Sequence, residues 1–372
     1  MKWIQVAIFL NVAALGLFSA CKSPSPAAGL RLNQIQVIGT HNSYHLRGHE
    51  SLLALIAKEN PKARDELNYE HRPLPEQLEM GIRQIELDCH ADPNGGLYAK
   101  PLGIERVLHA GLAPLPPYDP EGRMRLPGIK VMHMPDIDFA SSALTLIDAL
   151  RQVRAWSLNH PRHVPIFILL ELKEDASLPE SARPVLFEKA QLSDVESEIL
   201  SVFPADSILK PDDIRGNGAS LPEALRRSGW PLLDSIRGRV MFGLDDEGSI
   251  RDRYLEGHPA LQGRLIFVSV PPANPAAAWM KRNDPIGGFE EIQKLVTAGF
   301  LVRTRADSDT AEARANDSRK RERALASGAQ FVSTDYPDAD RRLSSYSVQL
   351  PKHAVARMNP VSRANAKIGD VE

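Results

Sequence analysis

The chain has 372 residues, 43% of them hydrophobic and 25% charged, and its 45 basic against 47 acidic residues leave a formal net charge of −2. That length and composition support one large core, and the balanced charge excludes the clustered positive excess of a nucleic-acid binder. The one basic cluster, Arg319, Lys320, Arg321 and Arg323, reads as the solvated face of a helix.

The first residues read as an export signal rather than as fold. Met1 and Lys2 give a short positive start, and the apolar run from Ile4 to Phe18 is too short for a spanning helix. The run closes with Leu17-Phe18-Ser19-Ala20-Cys21, which resembles a bacterial lipobox with Phe18 where Leu is usual. Residues 1–20 are therefore expected to be a cleaved signal peptide and Cys21 a lipidated N-terminal residue. Residues 21–30, rich in Pro, Ser and Ala, would form a tether. The expected location is the bacterial cell envelope, with the anchor in a membrane surface; ordinary cleavage near Ala20 would give a secreted protein instead. Cys89 is the only other cysteine, so the fold is expected to use no intramolecular disulfide, with Cys89 as buried filler.

Beyond the tether, short apolar runs of strand length alternate with longer amphipathic stretches. Strands are predicted over 34–39, 81–88, 129–133, 164–171, 239–244, 264–270, 299–304 and 329–334. Helices are predicted over 142–159, 184–203, 221–228, 289–298 and 318–327. Eight strands with intervening helices imply a parallel sheet, and eight is the number that closes a (β/α)8 barrel of the TIM type. Residues 31–345 are expected to form this α/β barrel as a single domain with long rim loops, followed by a C-terminal extension over 346–372. The long connections 92–128 and 204–221 follow predicted strands and belong on the rim where barrel active sites lie. A doubly wound open sheet is the structural alternative.

Polar residues cluster where the first four predicted strands end: Thr40-His41-Asn42-Ser43, Glu86-Leu87-Asp88-Cys89-His90, His133-Met134-Pro135-Asp136 and Glu171-Leu172-Lys173-Glu174. In a parallel barrel those ends meet at one mouth. Strand alternation places Glu86 and Asp88 on one face, and Glu171 and Lys173 form a second such pair. Carboxylates held side by side repel unless a cation lies between them. Oxygen ligands from Glu86, Asp88 and Glu171, supplemented by the Asn42 amide, favour Ca2+ or Mg2+ over zinc. Without a cation, the same carboxylates would pair with Arg or Lys at the barrel end. His41 and His133 stand beside this cluster, and imidazoles suit proton transfer near neutral pH, as the cleavage of a phosphodiester requires. Lys173 is placed to neutralise a phosphate oxygen. His90 sits just past its predicted strand, as a residue supporting the site from behind or on the rim, and His109 is the alternative to His133.

Several runs, in order, resemble the calcium-dependent phosphatidylinositol-specific phospholipase C family of bacteria. They are Gly39-Thr40-His41-Asn42-Ser43-Tyr44, Ile85-Glu86-Leu87-Asp88, His133-Met134-Pro135-Asp136-Ile137-Asp138-Phe139 and Leu169-Leu170-Glu171-Leu172-Lys173. Val302-Arg303-Thr304-Arg305-Ala306-Asp307 and the stretch from Ser327 to Pro337 follow the same pattern, so the likeness spans about residues 33 to 360. The resemblance implies that His41 and His133 are the catalytic pair and that Asn42, Glu86, Asp88 and Glu171 bind Ca2+, with Mg2+ the lesser choice. It implies attack of an inositol 2-hydroxyl on the 1-phosphate, releasing diacylglycerol and a cyclic inositol phosphate. Arg303, Arg305 and Tyr336 fall where such enzymes contact the head group.

The expected partners are a phospholipid or inositol phosphodiester and a membrane surface, and a monomer is expected. No run of Lys and Arg calls for a polyphosphorylated inositol. Two rivals differ in kind. A glycerophosphodiester phosphodiesterase shares the barrel and the histidines, but usually carries His-Arg-Gly where this chain has His41-Asn42-Ser43. A non-catalytic envelope lipoprotein that binds inositol lipids has no need of an acid–base pair.

Overall fold

A computed structural model describes residues 29–363 and 370–372; the expected signal peptide and Cys21 lie outside the described residues. Ten strands form one sheet: β1 (Ile35–Thr40), β2 (Gln84–His90), β3 (Lys130–Val131), β4 (Ile166–Leu172), β5 (Val240–Leu244), β6 (Ile266–Val268), β7 (Trp279–Lys281), β8 (Leu301–Arg305), β9 (Phe331–Thr334) and β10 (Ala356–Met358). The order β6-β5-β4-β2-β1-β9-β8-β7 is parallel throughout. A parallel bridge between Ser269 and Trp279 joins the two ends, so eight strands make the predicted (β/α)8 barrel. Every residue of β1, β2 and β5 is buried, as expected of strands covered on both faces.

The predicted strand over 129–133 is corrected. Only Lys130 and Val131 are extended, and they pair antiparallel with Cys89 and His90 on the flank of β2. The cause is the long loop before them. It returns on itself where Gly128 N–H donates to the Asp92 carbonyl at 2.9 Å, so the chain arrives at β2 running the wrong way for the barrel. The Lys130 ammonium is fully buried, on the carbonyls of Leu126 and Gly128. β2 pairs directly with β4, and the eighth barrel strand is β7, a three-residue strand beside β8 reached from β6 with no intervening helix. The crossover from β2 to β4 then runs through helix Leu146–Asn159, whose first turn is capped by Thr145 Oγ1 accepting from Asp148 N at 3.1 Å.

The main core fills and surrounds the barrel, and a smaller one lies beneath the 92–128 loop, built from Leu52, Tyr98, Val107, Met124, Met132 and Phe139. That second core gives the loop a fixed seat beside the residues flanking His133. At the opposite end of β1, β10 pairs antiparallel through Ile35 and Met358, and the side chain of Glu372 meets Arg83. Cys89 is a buried free thiol, as expected. His90 is the last residue of β2 rather than a rim residue beyond it, and its Nε2 contacts the Met132 carbonyl at 2.9 Å.

Candidate active site

The turn after β1 is stitched to β2. Ser43 Oγ accepts from Glu86 N at 2.8 Å, Ser43 N donates to Glu86 O at 2.9 Å, and Thr40 Oγ1 lies 2.6 Å from Ser43 Oγ. Asn42 takes a left-handed conformation (φ 44°), which Asn tolerates better than most residues, and this reverses the chain at the mouth. Along the β2–β4 ladder Asp88 is in register with Glu171. The oxygens offered by Glu86, Glu171 and Asp245 all lie within 4.8 Å of one another. Asp245 immediately follows β5 and is fixed by its N–H to the Leu170 carbonyl at 2.8 Å.

The cations around this cluster come from the ends of β4, β7 and β8. Lys173 Nζ is 2.7 Å from Glu171 Oε1 and 3.1 Å from Asp88 Oδ2, and Lys281 Nζ is 2.8 Å from Asp245 Oδ2. Arg303 pairs with Glu86 and donates to Asn283 Oδ1 at 2.7 Å. Burial pushes Glu86 up to about 8 despite Arg303 beside it, and burial with the Glu171 charge pushes Asp88 up to about 6. Buried acceptors remain without a hydrogen-bond donor: Asn42 Oδ1, Asp88 Oδ1 and Asp245 Oδ1. Such groups are costly unless something meets them. These oxygens, with Glu86 and Glu171, fit a hard divalent cation, and calcium takes about six to eight such ligands.

Each predicted histidine is oriented through Nδ1 by a buried carboxylate. His41 Nδ1 lies 2.8 Å from Asp335 Oδ1, and its Nε2 is 3.6 Å from Glu86 Oε1. Asp335 is itself held by Arg305 Nη2 at 2.8 Å. His133 Nδ1 lies 2.7 Å from Asp138 Oδ2, within a reverse turn closed by Asp138 N to Met134 O at 3.0 Å. Burial, then the Arg305 charge, lowers His41 to about 3. Burial also acts against a proton on His133, but the hydrogen bond and charge of Asp138 outweigh it and raise its pKa. Asp138 is held below the usual carboxylate range by His45 and His133, in spite of its burial. The side chains of His41, His133 and Glu171 retain 21%, 23% and 32% exposure, whereas Glu86 and Asp88 are sealed at 2% and 0%. A ligand entering from solvent thus has both imidazoles and Glu171 open to it.

The structure brings Asn42, Glu86, Asp88, Glu171 and Lys173 together at the barrel mouth. Arg303 and Arg305 reach the same end but are engaged by Glu86 and Asp335, and the buried Tyr336 hydroxyl has no partner. His109 ends helix Leu102–His109 and is exposed. The strand-end pattern does not single out Asp138. Asp245 and Asp335 do carry that signal, each an acidic side chain just past a predicted strand.

Residues 30–360 match the family described as Ca2+-dependent phosphoinositide phospholipase C. Among solved structures, the chain is similar to a Ca2+-dependent phosphatidylinositol-specific phospholipase C from Streptomyces antibioticus. The identity is 16% and the TM-score 0.51, over 82% of this chain and 94% of that one. It is similar to a calcium-dependent phosphoinositol-specific phospholipase C from a Gram-negative Pseudomonas species at 16% identity and TM-score 0.51, over 90% and 97% of the two chains. The myo-inositol complex of that Pseudomonas enzyme gives 17% and 0.50, over 90% and 100%. No curated protein matches. A match across residues 30–360, on a (β/α)8 barrel shared with these enzymes, makes the chain a phosphodiesterase of the Ca2+-dependent phosphoinositide phospholipase C family.

Proposed function

We propose that the protein cleaves phosphatidylinositol, or a related inositol phosphodiester, in a calcium-dependent reaction with His41 and His133 as the proton-transfer pair. One imidazole takes the proton of the inositol 2-hydroxyl as its oxygen bonds to phosphorus. The other protonates the diacylglycerol oxygen as the phosphorus–oxygen bond to it breaks. The products are a cyclic inositol phosphate and diacylglycerol. Both rings have Nδ1 committed to a carboxylate, which leaves Nε2 for substrate.

Glu86, Asp88, Glu171, Asp245 and Asn42 Oδ1 would hold the calcium. When bound, it supplies positive charge that acidifies the attacking hydroxyl and offsets charge on the phosphate. Lys173, on the same face as Asp88 and Glu171, adds a positive charge for a phosphate oxygen. Export and attachment to the envelope through Cys21 would bring the enzyme to a lipid surface.

The observation that carries this reading is the pair of carboxylate-oriented imidazoles beside buried, donor-less oxygens. Exchanging His41 or His133 for Asn should lower kcat on phosphatidylinositol by about 10²-fold or more with the melting temperature unchanged. Wild-type turnover in either variant contradicts it.

A further inference from the structure

His45, Tyr69 and His71 lie in the connection between β1 and β2, away from every strand end, yet they form a packed unit against the site. His45 is fully buried, and its Nε2 lies 3.0 and 2.9 Å from Asp138 Oδ1 and Oδ2. Asp138 Oδ2 is the same atom that binds His133 Nδ1 at 2.7 Å. A charged carboxylate only accepts, so His45 Nε2 carries the donated proton. Its Nδ1 is buried without a partner.

The His45 backbone is pinned on both sides, N–H to Asn42 O at 2.8 Å and carbonyl to His71 N at 2.9 Å. One face of its ring stacks on Tyr69, with centroids 4.3 Å apart and planes 13° apart. Tyr69 is buried and does two further things. Its hydroxyl accepts from Asn42 Nδ2 at 3.2 Å, an amide orientation that leaves Asn42 Oδ1 as the donor-less atom. Its ring meets His71 edge-on at 5.7 Å, and His71 Nε2 contacts the His41 carbonyl at 2.8 Å.

We propose that His45 and Tyr69 are positioning residues for the reaction: His45 clamps the carboxylate that orients His133, and Tyr69, stacked on His45, turns the Asn42 amide so that its oxygen is free for the cation. The clamp is needed because Asp138 sits in a short turn, where its side chain has alternative staggered rotamers. The rigid, stacked imidazole selects one of them. Through Tyr69 a single packed unit sets both the histidine and the amide oxygen. The inference rests on the functional reading above for its effect on turnover, and on geometry alone for its effect on the free protein.

The test compares His45→Ala with His45→Gln, whose amide N–H reaches the position of Nε2. His45→Ala should lose about 10–100-fold in kcat with KM within about twofold, and His45→Gln should regain most of that loss. In substrate-free, metal-free protein, the low-field proton resonance of His133 Nδ1–H should shift in His45→Ala and return in His45→Gln. Tyr69→Phe should weaken calcium binding measured by calorimetry by about tenfold. Wild-type kcat in His45→Ala, no recovery in a folded His45→Gln, or an unmoved resonance each overturns the clamp. Unchanged calcium affinity in Tyr69→Phe overturns the Asn42 link. If His45→Ala does not fold, the resonance in His45→Gln and the Tyr69→Phe calorimetry decide. A wild-type protein inactive on inositol lipids would refute the functional reading, while the resonance would still test the clamp.

Discussion

Glu86 is sealed from solvent between Arg303 and the His41 ring, and burial raises its pKa to about 8. In the unfolded chain its pKa is near 4.5. Between those values the native state holds a proton that the unfolded state has lost, so this contribution to stability disappears as pH rises through the folded pKa. Metal-free protein should therefore lose stability between pH 6.5 and 8.5 by calorimetry, and Glu86→Gln should reduce the slope. Calcium should restore stability most at the higher pH, since it favours the ionised carboxylates. A metal-free protein equally stable at both pH values speaks against this account of Glu86. At this scale the sequence was legible wherever a polar side chain interrupted an apolar strand: His41, Glu86, Asp88 and Glu171 stand out against Val, Ile and Leu. Asp138, His45 and Tyr69 do not, because their role depends on a stack and a shared carboxylate between distant segments. No spacing along the chain records such contacts.

Among elements, β1 shows how closely the barrel wall is fitted. It meets β2 in a single register pair, Gly39 with Gln84, and a Cβ on Gly39 would lie 2.7 Å from the Gln84 Cβ. Gly39→Ala should cost about 1–3 kcal/mol in denaturant unfolding, because the two strands must part just below the His41 turn. A stability within error of wild type would mean that the wall yields there more easily than its packing indicates. Periodicity identified seven of the barrel strands, since each is an apolar run bounded by turn residues. It failed at 129–133 and at β7 for different reasons. Ile129-Lys130-Val131 has the composition of a strand, but its direction is set by the loop that folds back through Gly128. Trp279-Met280-Lys281 is too short to show a period, and it becomes a strand only because Ser269 and β8 stand on either side.

Over the whole molecule, the barrel converts eight separate strand ends into one mouth, and the 92–128 loop with its own small core buttresses the His133 side of it. The oxygens there, three carboxylates within 4.8 Å of one another and an amide oxygen without a donor, belong to strands far apart in sequence. Fold class was legible because it follows from the alternation of strand and helix; the join between β6 and β7 was not, being a single bridge. The most direct test is phosphorus NMR of phosphatidylinositol in mixed micelles incubated with the enzyme, with calcium and then with excess chelator. We expect calcium to give a cyclic inositol phosphate signal and chelator to abolish it. Turnover that persists in chelator, or cleavage that gives no cyclic inositol phosphate signal, would contradict a calcium-assisted two-histidine site.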